Sequence, residues 1–162
     1  MAAGSNSQAI SYPAGTLGTL MELYQQAVDD FVVYLRARSP AEISASAEFS
    51  GQTIRITGIL KHVAHAGFEY ANDARRGLGK PLLAASAPSD LIADIVSIIP
   101  QMAEALEGVW HLTDPEIGKI LIDEPWDVRY TLEQIIEHAI VHIPWHKRQC
   151  RRVLERAGFA CQ

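Results

Sequence analysis

Apolar residues in this chain return every three or four positions in four separate stretches, the spacing of one face of an α-helix. In the first, Leu17, Leu20, Tyr24, Val28, Phe31 and Leu35 line up. It should end near Ser39-Pro40, since the residue before a proline avoids helical angles. The second runs from about Thr53 to Arg76 and stops at Gly77 and Gly79. Ile56, Leu60, Val63, Gly67 and Tyr70 form its main line, and Ile59, His62, Ala66 and Glu69 run beside them. The third covers Ser89 to Trp110, with Leu91, Ile95, Ile98, Met102, Ala105 and Val109 on one side and Pro100 interrupting it as a kink or a division. The fourth opens on Thr131 to Arg151, and its end is marked by Gly158 after Arg151, Arg152 and Arg156. Between them, 41–52, 81–88 and 111–129 read as connections, the last with turns at Asp114-Pro115 and Glu124-Pro125. No strand hairpin and no internal repeat stands out. The pattern predicts an all-α fold, a four-helix bundle whose connections are long enough for crossovers.

The fourth stretch has the most to say. Leu132, Ile136, Ala139, Ile143, His146, Cys150, Val153 and Ala157 are spaced alternately by four and three, the stripe of a bundle helix. Thr131 followed by Gln134 has the capping-box form, and Tyr130 with Ile135 suits a hydrophobic staple. Half of the six histidines fall here: His138, His142 and His146, each four residues after the last. His146 lies in the stripe, His142 at its edge and His138 on the flank, so the first two point most nearly inward. Pro144 stands between them. The stripe keeps its phase across that proline, which predicts a kinked continuous helix rather than two.

Size and composition narrow the class. A chain of 162 residues with 48% hydrophobic and 20% charged residues is that of a single globular domain spanning 1–162. Met1 to about Pro13 is polar and small and reads as a loose arm. A net charge of −5 speaks against a nucleic-acid partner. The start, MAAGSNSQAI, lacks the basic and apolar regions of a signal peptide, and no apolar run is long enough to span a membrane. Cys150 and Cys161 make no disulfide framework, so the expected compartment is the cytoplasm.

Several chemistries can be set aside. The zinc-protease motif H-E-x-x-H is missing, and no glutamate has a histidine three residues on, as a di-iron bundle requires. Thiolate zinc sites need paired cysteines. One histidine on an apolar stripe is ordinarily a hydrogen-bonded core residue. Two on one helix face, with His62 and His65 on a second inward-looking helix, point to an all-nitrogen metal site. His142 and His146 would supply a pair, and the second helix a third ligand. Such sites commonly keep a fourth position for water. Glu137, Glu69 or a backbone carbonyl could orient the ligands.

Two segments resemble the DinB-like (DinB/YfiT) superfamily of metal-binding four-helix bundles. Ile59-Leu60-Lys61-His62-Val63-Ala64-His65-Ala66 is similar to that family's second-helix segment. Glu137 to Gln149, EHAIVHIPWHKRQ, is similar to its last-helix segment, H-x-x-x-H followed by basic residues and glutamine. Arg148 stands where many members have glycine, and Pro144 is no part of the motif. By position the resemblance implies His62, His142 and His146 as metal ligands, with His65 and His138 as neighbours. It implies a divalent metal, zinc or nickel, and a homodimer. It also implies a small-molecule substrate, a low-molecular-weight thiol among the candidates, and a metal that activates thiol or water for transfer to an electrophile. The alternative expectation is a metal-binding stress-response or sensor protein without catalysis.

Overall fold

Both histidine-bearing helices grow directly out of short β-hairpins. The computed structural model describes residues 11–85, 90–124 and 127–160. In chain order the elements are α1 (Thr16–Arg36), α2 (Pro40–Ile43), β1 (Ser46–Phe49), β2 (Gln52–Arg55), α3 (Ile56–Gly77), α4 (Leu91–Ala105), α5 (Asp114–Ile117), β3 (Leu121–Glu124), β4 (Val128–Thr131) and α6 (Leu132–Arg156). The fold is mostly helical, with two small antiparallel sheets.

The hairpins correct the expectation of helices joined by plain connections. β1 pairs with β2 and β3 with β4, each strand four residues long. Strands so short carry too few alternations to be read as a period of two. The turn holds the first in register: Ser50 and Gly51 take φ of 48° and 80°, the left-handed geometry of a two-residue hairpin loop. Each helix is tied to its hairpin by one more backbone bond. The Ile56 N–H donates to the Ala45 carbonyl at 3.1 Å, and the Leu132 N–H to that of Ile120 at 3.0 Å. The second long helix therefore begins at Ile56, because Thr53 to Arg55 belong to a strand.

The hairpins also reveal a repeat that the residues hide. Long helix, short helix, hairpin and long helix occur twice in the same order. Both short helices are capped alike: Glu42 accepts from the Ser39 N–H at 2.7 Å, and Glu116 from the Thr113 N–H at 2.8 Å. Burial along Ile56–His65 matches that along Leu132–Val141 position by position. Few residue types coincide, among them Ile59 with Ile135 and His62 with His138, so the reading that there is no repeat fails at the level of structure.

The four long helices pack in a ring, α1 on α4, α4 on α3, α3 on α6 and α6 on α1. Inside it lie Met21, Tyr24, Phe31, Leu60, Val63, Ile98, Met102 and Ile136, all buried. The approach of α3 to α4 is close enough that a Cβ on Gly67 would lie 2.4 Å from Cγ2 of Ile98. α4 runs unbroken through Pro100 but stops at Ala105, short of Trp110. Asp90 caps it, accepting from the N–H groups of Ile92 and Ala93.

The end of the expected arm is part of the core. Tyr12 is 8% exposed and packs on Trp110, with ring centroids 5.8 Å apart. The rest of the arm, 1–10, lies outside the described residues, as do 86–88 of the linker, Pro125 and Cys161. Leu83 and Pro81, at the start of that linker, are anchored on α3 by Asn72 and Arg75. Among the described residues no helix is long and apolar enough to cross a membrane.

Candidate metal centre

α6 continues through Pro144. A proline in a helix interior removes the bond to the carbonyl four residues back, here Ile140. Pro144 and Val141 are exposed and Ile140 is half-buried, so this gap lies towards solvent. The helix is thus free to carry two histidines one turn apart on its buried side. His142 is 8% exposed and His146 4%. The capping box of Thr131 and Gln134 is present at its start.

His62, on α3, completes a trio. Nε2 of His142 lies 3.2 Å from Nε2 of His62 and 3.0 Å from Nε2 of His146. Ligand nitrogens of the three lie within 4.8 Å of one another and could hold a metal ion. For ligands at 2.0–2.1 Å in a tetrahedron, nitrogen–nitrogen separations of about 3.3 Å are expected. Two of the three edges are already close to that, so the donor set fits a small divalent ion.

The electrostatics favour the neutral, ligating form. Burial, and then the imidazoles of His146, His62 and His138, push the pKa of His142 from 6.5 down to about 3. Burial also lowers His146, opposed by its hydrogen bond to Gln149. That bond joins Nδ1 of His146 to Oε1 of Gln149 at 2.7 Å. An amide oxygen can only accept, so Nδ1 carries the proton and Nε2 turns its lone pair to the centre. The orienting contact to His146 thus comes from Gln149, not from the candidates Glu137, Glu69 or a backbone carbonyl. The glutamine of the last-helix segment was the signal for it.

The other histidines fall outside the trio. His65 is exposed on α3. His138 is exposed, its ring 6.4 Å from that of His142 and 5.5 Å from that of Tyr70. The repeat explains the division. His62 and His138 are each the seventh residue of their helix. At the eleventh and fifteenth positions α6 has His142 and His146, whereas α3 has Ala66 and Tyr70.

The trio lies between two clefts. One, of about 680 Å³, is walled by the first hairpin and includes Phe49, Arg55, His62, His146, Gln149 and Arg152. The other, of about 320 Å³, is walled by the second hairpin and includes Glu69, Tyr70, Asp73, Glu124, Tyr130 and His138. Burial and the carboxylates of Asp73 and Glu124 push the Tyr70 phenol up to about 12. Sequence reasoning did not place Arg55 or Tyr130 at the site, because hairpins that it did not foresee bring them in beside Arg152 of α6 and Tyr70 of α3. Cys150, one turn beyond His146, is buried, and its thiol is pushed up to about 12, the profile of a packing residue rather than a nucleophile.

No protein-family model, no curated protein and no solved structure matches the chain.

Proposed function

We propose that this protein is a divalent-metal-dependent enzyme of the DinB-like kind, a four-helix bundle in which His62, His142 and His146 hold zinc or nickel. The observation that carries the reading is the convergence of three Nε2 atoms on one point in a wall shared by two clefts. Three protein ligands leave a coordination position for a reactant, and a purely structural site would be closed by a fourth. A bound divalent ion supplies a Lewis acid that lowers the pKa of thiol or water. The chain's own part is to keep the imidazoles neutral, to hold His146 through Gln149, and to admit the nucleophile and a small electrophile from the clefts. A low-molecular-weight thiol is the proposed co-substrate and a homodimer the proposed assembly, both on the family resemblance.

Elemental analysis of protein purified without an affinity tag should find about one divalent ion per chain. A screen of small thiols against epoxide and haloalkane electrophiles should then give turnover that chelation abolishes. Metal without turnover would favour the sensor reading; no metal under any loading condition would end both.

A further inference from the structure

The repeat makes the two clefts an internal comparison, since α3 and α6 offer equivalent positions to opposite charge. Three carboxylates, Glu69, Asp73 and Glu124, line the smaller cleft. Among the described residues none lines the larger, and Glu48 beside it is engaged by the Thr53 hydroxyl. Arg76 and Arg152 occupy the same position, the twenty-first of their helices. Arg76 is neutralised by Asp73, 2.5 Å away. The position equivalent to Asp73 on α6 is Gln149, which is spent on His146. Among the described residues Arg152 has no carboxylate within ion-pair distance, and it lies 5.8 Å from the centre of the Phe49 ring. Arg55, at the end of β2, lines the same cleft and is likewise without an acidic partner.

We propose that the larger cleft is the substrate's, and that its ligand is a small organic anion. The anionic group, a carboxylate by preference, meets Arg152 and Arg55 at the end away from the histidines. Phe49, Ile54 and Ile59 pack against an apolar middle. Charge selects the cleft: unpaired guanidinium groups attract an anion, and the negative charge that Glu69, Asp73 and Glu124 leave in excess of Arg76 repels it from the other side of the trio. This rests on the reading that the trio holds a divalent cation.

The test uses the full chain loaded with Co(II), whose d–d spectrum reports ligands and whose sulfur charge-transfer band reports a bound thiol. ω-Mercaptocarboxylates of increasing length are titrated against the amides of the same length. The wild type should bind the matching acid roughly tenfold more tightly than its amide, as a charge-assisted contact implies. Arg152→Gln and Arg55→Gln should each erode that preference, and together abolish it, with affinity for the amide unchanged. Arg152→Lys, which keeps charge and stem, should retain most of it, and Glu69→Gln in the opposite cleft should not reduce it. Co(II) uptake with equal affinity for acid and amide would overturn this inference and leave the metal reading standing. A preference that survives the double arginine substitution would overturn it too. Failure of the folded wild type to take up Co(II) would overturn both.

Discussion

Gln149 and His146 lie three residues apart on α6, and the amide oxygen of one receives the Nδ1 proton of the other at 2.7 Å. The contact selects the tautomer that leaves Nε2 free. Gln149→Leu should therefore weaken metal affinity by about 10–100-fold, the cost of losing an orienting partner. Gln149→Glu, which keeps an acceptor, should lose much less. Competition with a chromophoric chelator measures both. Equal affinities across the three proteins would show that the ring is held by packing alone.

Removal of the proposed ligands themselves should be far more severe. His62→Ala, His142→Ala and His146→Ala should each strip most of the metal on dialysis. His65→Ala and His138→Ala should retain it, since neither belongs to the trio. The informative comparison is His62→Ala with His138→Ala, the same position on equivalent helices. Loss of metal in His138→Ala but not in His62→Ala would place the site in the smaller cleft.

Acid should destabilise the metal-free protein through His142. Its folded-state pKa of about 3 lies below the ordinary 6.5, so the unfolded chain takes up the proton first. Stability is therefore fully present above about 6.5 and falls as pH drops from there towards 3. Melting temperatures across that window should fall less steeply for His142→Gln than for the wild type. Parallel curves would mean that His142 is already charged, or already solvated, in the fold.

Pro144 removes one helical hydrogen bond on the solvent side of α6, between the two histidines that this helix supplies to the trio. Pro144→Ala should raise the melting temperature of the metal-free protein by a few degrees, as a gain of about 1 kcal/mol implies for a chain of this size. It should also change the shift that metal adds, because the local backbone sets the angle between the imidazoles of His142 and His146. Melting curves with and without chelator check both, and an unchanged metal-induced shift would show that the ligand geometry does not depend on the proline.

Gly67→Ala should be destabilising even though alanine is the better helix former. The added Cβ would lie 2.4 Å from the Ile98 side chain, so α3 and α4 must separate or Ile98 must change rotamer. A loss of about 1–3 kcal/mol in urea unfolding is expected. Ile98→Ala, which removes the Cγ2 that the new Cβ meets, should cost less in the Gly67→Ala background than in the wild type.

Much of this protein is legible in one dimension. The four long helices declare themselves by their period, because each must bury one apolar stripe. The stripe of α6 even orients His142 and His146, since on a helix direction follows from spacing. The capping box at Thr131 and the passage of α6 through Pro144 follow from the same local rules. Gly67 is visible in the sequence, but the reason for it is Ile98 of another helix.

What tertiary structure alone decided is whatever depends on distant pairing. Each hairpin strand has four residues, too few to show a period, and exists because a turn and a neighbouring helix hold it. The repeat of the two halves is written in burial and hydrogen bonding, while most of its residue types have diverged. The partner of His142 and His146 could have been His62 or His65 by helix alone; the crossing of α3 on α6 sets Nε2 of His62 at 3.2 Å from that of His142 and leaves His65 exposed. The charge of each cleft is settled the same way, by the hairpin residues Arg55 and Glu124 coming to lie beside Arg152 of α6 and Glu69 and Asp73 of α3. Periodicity determines where a side chain points on its own helix, and only the packing of helices and hairpins determines what it meets there.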